Sequence, residues 1–232
     1  MMGWRFRVSQ ASKLFSRKGL NQFIVGHLKL IPANARVLNV GAGGDIQALT
    51  EACARKYGFS VVSTDIDPAR KPDVVDDITQ SSFPSAHFDA IVIIEVLEHV
   101  VDPLRAAAEV QRLLKPGGSL LLSTPFIFPL HDRPHDFFRY TKYGLSSLFS
   151  GLEALEIRER NSWPEAALVL LARAAREPNA TIVSAPLMLA LAFALFPIAW
   201  LVGRLMPSDF ATSGYLLSGR KPQESEAAGA LT

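Results

Sequence analysis

The 232-residue chain is 49% hydrophobic and 20% charged, with 24 Lys or Arg against 22 Asp or Glu and a net charge of +2. Its length suits one α/β core with an elaboration, and its positive mean hydropathy leans towards membrane contact. The single cysteine, Cys53, excludes an intrachain disulfide, no Cys/His spacing of a metal site is present, and a reducing compartment is the simplest reading.

The positive charge sits at the front. Arg5, Arg7, Lys13, Arg17, Lys18, Lys29 and Arg36 precede Gly44 with no carboxylate among them. Residues 1–32 interleave these with Trp4, Phe6, Leu14, Phe15, Phe23 and Leu28, a pattern that predicts one or two amphipathic helices. Such helices either dock on an anionic membrane surface or pack over a substrate cleft. No apolar core of signal length follows the basic residues, so the folded domain is expected in the cytoplasm. No base-reading motif accompanies the charge, which argues against nucleic acid.

Residues 33–222 read as one domain. A strand over 36–40 runs into the turn Gly41-Ala42-Gly43-Gly44, where Gly41 and Gly43 let the backbone turn sharply and approach a ligand. A helix over 47–57 follows, with Ala48, Leu49, Ala52 and Cys53 as its apolar stripe, then a strand over 61–64. Asp65 lies about 20 residues beyond the glycine turn, where an acid accepts bonds from both ribose hydroxyls; the alternative is that it caps a helix. Strands are expected over 74–78 and 88–94, the second apolar without alternation and so covered on both faces. Glu95 falls at its carboxyl end, where open α/β sheets bind ligands. A helix over 104–114, with Leu104, Ala107, Ala108 and Val110 inward, is stopped by Lys115-Pro116-Gly117-Gly118, and a fifth strand covers 119–123.

A glycine turn after a strand also fits a nicotinamide dinucleotide. That fingerprint needs a third small residue for close helix–strand packing, and here Ile46 followed by Gln47 stands at that point. Four motifs in order point elsewhere: Val37-Leu38-Asn39-Val40-Gly41-Ala42-Gly43-Gly44, Asp65 with Asp77-Ile78, Phe88-Asp89-Ala90 through Glu95-Val96-Leu97-Glu98-His99-Val100, and Leu114-Lys115-Pro116-Gly117-Gly118. Together they resemble the class I methyltransferases that use S-adenosylmethionine, with Asn39 where an acidic residue is common.

The resemblance implies an α/β fold: a Rossmann-like seven-stranded sheet, mostly parallel with the last strand antiparallel, and helices on both faces. It implies S-adenosylmethionine as cofactor, held by Gly41, Ala42 and Gly43 at the turn and by Asp65 at the ribose. Ile66 and Ile78 would form adenine walls, Asp77 would accept from the adenine amino group, and Glu95 and His99 would lie near the methionine part.

The stretch from Pro125 to Tyr143 concentrates His131, His135, Asp132, Asp136, Arg133, Arg139 and several aromatics, a substrate-pocket composition. His131 or His135 can take a proton from an acceptor hydroxyl, Asp136 can orient the histidine, and Arg139 can hold an anionic group. The plainer reading is that Asp136, Arg139 and Tyr140 tie the loop to itself. The spacing from His131 to Thr141 is similar to a subgroup associated with bacterial surface-polysaccharide assembly, which implies O-methylation of a sugar or lipid-linked glycan. The alternatives are C- or O-methylation of a quinone or other small hydrophobic molecule, and a membrane-associated protein that keeps the fold without turnover.

A helix is expected over 143–150 and a sixth strand over 152–161. Residues 180–203 contain no charge and form an apolar insert, extending to 206, long enough as a helix to span a bilayer. The last strand, near 214–220, belongs in the same sheet, so the insert must return on the side it left. Pro186 and Pro197 are expected to break it into two shorter helices, as a re-entrant or monotopic anchor at the inner face of the cytoplasmic membrane. The other reading is a pair of buried helices at a homodimer interface. Residues 223–232 read as a disordered polar tail.

Overall fold

The computed structural model describes residues 2–17 and 19–223; the expected tail from 224 onward lies outside them. Among the described residues seven strands form one sheet: β1 (Arg36–Val40), β2 (Ser60–Asp65), β3 (Val74–Val75), β4 (Phe88–Ile94), β5 (Leu114–Pro125), β6 (Glu153–Glu159) and β7 (Gly214–Arg220). Their order is β3-β2-β1-β4-β5-β7-β6. β1 to β5 pair in parallel. β7 runs antiparallel to β5, with the Gly117 N–H donating to the Lys221 carbonyl at 2.9 Å. The Rossmann-like architecture and the helical insert before the last strand are as the sequence implies.

The helices are α1 (Met2–Ser16), α2 (Leu20–Leu28), α3 (Gly44–Tyr57), α4 (Pro103–Leu113), α5 (Lys142–Leu148), α6 (Trp163–Ala174) and α7 (Ser184–Leu205). Their ends follow local chemistry. α3 stops at Gly58, in the left-handed region at φ +84°, with its N–H on the Ala54 carbonyl. Asp102 caps α4 by accepting from the Arg105 N–H at 3.0 Å, with Pro103 opening the first turn. Thr141 caps α5 through the Gly144 N–H.

Register places the site. Val40 lies opposite Thr64 of β2 on one side and Ile93 of β4 on the other, while Ile94 pairs with Ser123 of β5. The segments after β1, β2 and β4 therefore emerge along one edge of the sheet. β4 sits centrally with Phe88, Ala90, Ile91 and Val92 fully buried, as its unbroken apolar run requires. Asp89 fixes its start, accepting from the Arg36 N–H at 2.8 Å and from the Lys115 ammonium at 2.8 and 2.9 Å.

The chain divides into two compact units. One comprises Met1–Asn21, Pro125–Arg133 and Glu159–Tyr215, and the other Gln22–Thr124, Pro134–Arg158 and Leu216–Thr232. The first is helical: α1, α6 and α7 enclose a core of Phe15, Leu168, Val169, Ala172, Ala185 and Leu189. Phe15 meets Phe193 and Phe196 edge-on, at 4.7 and 5.8 Å between centroids. The second unit carries most of the sheet.

Several expectations are corrected. The third strand is two residues long rather than 74–78: its last bond to β2 is the Asp76 N–H on the Asp65 carbonyl at 3.1 Å, and beyond it the side chains of Asp76 and Asp77 accept from the turn that follows. β5 begins at Leu114, five residues early. On α3 Ala48 and Ala52 are exposed, and Thr50 is buried in their place because its hydroxyl bonds the Ile46 carbonyl. Leu104 and Ala108 of α4 face out, and Ala106 lies inward. The insert is one continuous helix, not two: Pro186 falls in the first turn, where no N–H is needed, and Pro197 is carried inside the helix. Its partner helix is α6, which begins at a Ser162–Glu165 capping box.

Candidate active site

The glycine turn is held from three sides. The Gly41 N–H donates to the Thr64 carbonyl at 2.8 Å, and the Asn39 side-chain amide donates to the Gly41 carbonyl at 3.1 Å. Gly41 has φ +89°, and a Cβ there would lie 2.5 Å from the Val96 Cγ2, so both the backbone and the space demand glycine. Gly43 and Gly44 also have positive φ, and a Cβ on Gly44 would meet nothing within 4 Å, so the turn faces open space. The Asn39 Oδ1 is buried without a hydrogen-bond partner among the described residues.

Asp65 joins the turn to the end of β2. Its Oδ2 accepts from the Ala42 N–H and its Oδ1 from the Asp67 N–H, each at 2.9 Å, and the Arg70 Nε stands 3.8 Å away. Each oxygen thus keeps a lone pair for a further donor. Ile66 beyond it is 69% exposed and offers an apolar face; Ile78 is buried. The Asp77 Oδ1 takes both the N–H and the O–H of Thr79 at 2.9 Å, which leaves Oδ2 outside that turn.

At the end of β4, Glu95 adopts φ +57°, a conformation that costs a non-glycine residue about 1 kcal/mol. Ser123 of β5 holds it there, its carbonyl taking the Glu95 N–H at 2.8 Å and its hydroxyl donating to the Glu95 Oε1 at 3.0 Å. Glu98 is fully buried, and its carbonyl accepts from the Phe137 and Phe138 N–H groups at 2.9 and 3.2 Å. Tyr140 donates its hydroxyl to the Leu97 carbonyl at 3.1 Å; burial, helped by the Glu98 charge, pushes that phenol well above its usual pKa. The His99 Nδ1 bonds the His135 carbonyl at 2.5 Å, and because a carbonyl only accepts, that nitrogen carries the proton.

The expected substrate segment is therefore divided. Residues 135–140 are fastened to the turn after β4. Within them Asp136 and Arg139 form a bidentate pair at 2.6 and 2.7 Å, and that carboxylate holds the guanidinium above its usual pKa. The His135 ring is exposed and 6.2 Å from that of Phe137. His131 falls in the helical unit, edge-on to Phe128, whose ring also carries the Arg173 guanidinium at 4.5 Å. Sequence reasoning missed Ser123, Tyr140's bond to Leu97 and the role of Asn39, because each partnership joins residues with no common spacing.

Residues 9–163 match the family model described as a methyltransferase domain. The chain belongs to that family. The methyltransferase is 39% identical over 113 residues to a ubiquinone biosynthesis O-methyltransferase of Xanthomonas axonopodis pv. citri, covering 41% of this chain and 45% of that one. It is 34% identical over 111 residues to a 2-methyl-6-phytyl-1,4-hydroquinone methyltransferase of Synechocystis, covering 42% and 34%. These alignments span less than half of either relative. In fold it is similar to Haemonchus contortus phosphoethanolamine N-methyltransferase 2 in complex with S-adenosyl-L-methionine, with a TM-score of 0.57, 17% identity, and coverage of 88% of this chain and 53% of that one.

The fold is that of the class I methyltransferases, whose cofactor is S-adenosylmethionine. The residues present fit that group. An open glycine turn, an orphaned buried acceptor at Asn39, spare carboxylate lone pairs at Asp65 and an exposed apolar Ile66 stand along one sheet edge.

Proposed function

We propose that this methyltransferase methylates a hydroxyl of a small hydrophobic acceptor of the quinol type, in the cytoplasm beside the membrane that dissolves such acceptors. The observation that carries the reading is the naming of both relatives for quinone or hydroquinone methylation. They favour this acceptor over the saccharide that the loop spacing implies. The exposed rings of Phe137 and Phe138, next to the His99–His135 bond, suit a flat apolar acceptor.

S-adenosylmethionine, when bound, supplies a methyl group already activated on a sulfonium, so the chain's task is alignment. We assign the ribose to Asp65, the adenine to Ile66 and the Asp77 Oδ2, with Ile78 behind them. The turn of Gly41, Ala42 and Gly43 takes the methionine part together with Glu95 and His99, and the Gly41 carbonyl and Asn39 Oδ1 accept from its ammonium.

Transfer to oxygen releases a proton from the acceptor hydroxyl. Of the four residues expected to act, Asp136 and Arg139 are engaged with each other and position the segment, which leaves the histidines. His135, exposed in the unit that carries the glycine turn, takes the proton; His131 is the comparison residue.

The test is methyl transfer to a demethylated quinol and, in parallel, to extracted membrane glycolipids. Labelled quinol product, with turnover lost in His135→Ala but not in His131→Ala, supports the reading. Product only in the glycolipid fraction would return the assignment to the saccharide.

A further inference from the structure

α7 is the one described helix long and apolar enough to cross a membrane, yet only 22% of its most apolar stretch is buried. A core helix of that composition would be mostly covered. The buried side is a narrow seam, Ala185, Leu189, Ala192, Phe196, Ala199 and Gly203, spaced four and three apart. Most of the remaining surface of the helix is apolar and exposed: Leu187 is 67% exposed, Ile198 60% and Leu201 49%, with Leu191, Leu195 and Trp200 between them. A contiguous apolar surface of this kind marks a binding face.

Charge identifies what covers it. The helical unit carries ten Lys or Arg against five Asp or Glu, a surplus of five in a chain whose net charge is +2. The other unit is therefore negative by three. α1, which packs beside α6 and α7, has no acid, exposes Arg7, and presents Phe6 and Leu14 to solvent. At the end of α7 the Arg204 guanidinium lies 5.0 Å over the Trp200 ring, a pairing suited to a lipid–water boundary. A second copy of this face would meet like charge, and one partner helix would cover only a stripe of so wide an arc.

Chain topology decides against a crossing. α7, at 22 residues, spans about 33 Å. α6, at 12 residues, spans about 18 Å, too short for a hydrocarbon core of about 30 Å. Because β6 before α6 and β7 after α7 are neighbours in one sheet, the chain must leave and return on the same side.

We propose that α7 lies along an anionic bilayer surface without crossing it, with its outer face in the acyl boundary and the exposed basic residues of the helical unit at the headgroups. The surface is independent of the acceptor, so vesicle binding by the full chain, without acceptor, tests it apart from the catalytic reading. The chain floats with phosphatidylcholine vesicles containing about 30% phosphatidylglycerol, and less with phosphatidylcholine alone. Leu191→Glu with Ile198→Glu, both on the open face, lowers the bound fraction roughly tenfold or more while cofactor binding is unchanged. In the native sequence, brominated lipid quenches tryptophan fluorescence, and Trp200→Phe removes most of that quenching. Cysteines at Ile182→Cys and Phe210→Cys both stay reactive to an impermeant maleimide added outside.

Failure of the native chain to float at low salt overturns the proposal. So does a dimer in solution that the two glutamates dissociate without any vesicle binding, as does protection of one of the two cysteines, which means a crossing.

Discussion

At Asn39 the side-chain amide donates to the Gly41 carbonyl, a bond that the acidic residue common at this position cannot make. Its Oδ1 is left as a buried acceptor. Asn39→Asp puts an unpaired charge there, and the free protein loses about 3 kcal/mol. The cofactor's ammonium then pairs with it, so Tm without S-adenosylmethionine falls while the rise on adding it exceeds that of the native chain. Differential scanning calorimetry reads both, and a smaller rise contradicts the assignment of Asn39. The places of Asp65, Gly41 and Glu95 at the carboxyl ends of β2, β1 and β4 were legible in sequence, because an apolar run that stops at a glycine or an acid marks the end of a strand. The Asp136–Arg139 pair and the Tyr140–Leu97 bond were not, since loop residues carry no periodicity and the second pair is 43 positions apart.

Among the elements, β1, β4 and the antiparallel β7 were readable from apolar runs and turn glycines. The insert was harder. Its uniform apolarity hid which side packs, although Ala185, Ala192 and Ala199 recur every seven residues, and small residues at that period mark a close helix approach. α6 was missed altogether, because Trp163-Pro164 at its start looks like loop until the Ser162–Glu165 box is seen as a start signal. The seam gives an expected outcome. Ala192→Leu overpacks it and destabilises the fold by about 1–3 kcal/mol, whereas Ile198→Ser on the open face shifts stability by less than about 0.5 kcal/mol. Urea unfolding compares the two, and equal effects contradict the packing described.

For the whole molecule, acid is the weak side. The Arg112 guanidinium holds Glu109 below its usual pKa, and Ser63 does the same for Asp73 through its N–H and hydroxyl. At Asp89 burial raises the pKa, but the Arg36 N–H and Lys115 outweigh it and the net shift is down. Carboxyls depressed in the fold contribute stability that is complete above their unfolded pKa and lost as pH falls through the folded one. His87 is also pushed down, by burial and by Arg36 and Lys115, so protonation of the unfolded chain opposes folding below about pH 6.5. Tm is expected to sag gently below about pH 6.5 and steeply below about pH 4.5.

The central claim is that the Gly41 turn and Asp65 together hold S-adenosylmethionine, and titration calorimetry of the full chain tests it most directly. The expected result is saturable binding to the native protein, weakened roughly tenfold or more by Asp65→Ala, which removes a charged acceptor and frees the Ala42 N–H. Absence of binding to the native chain, or equal affinity in the variant, would contradict the account.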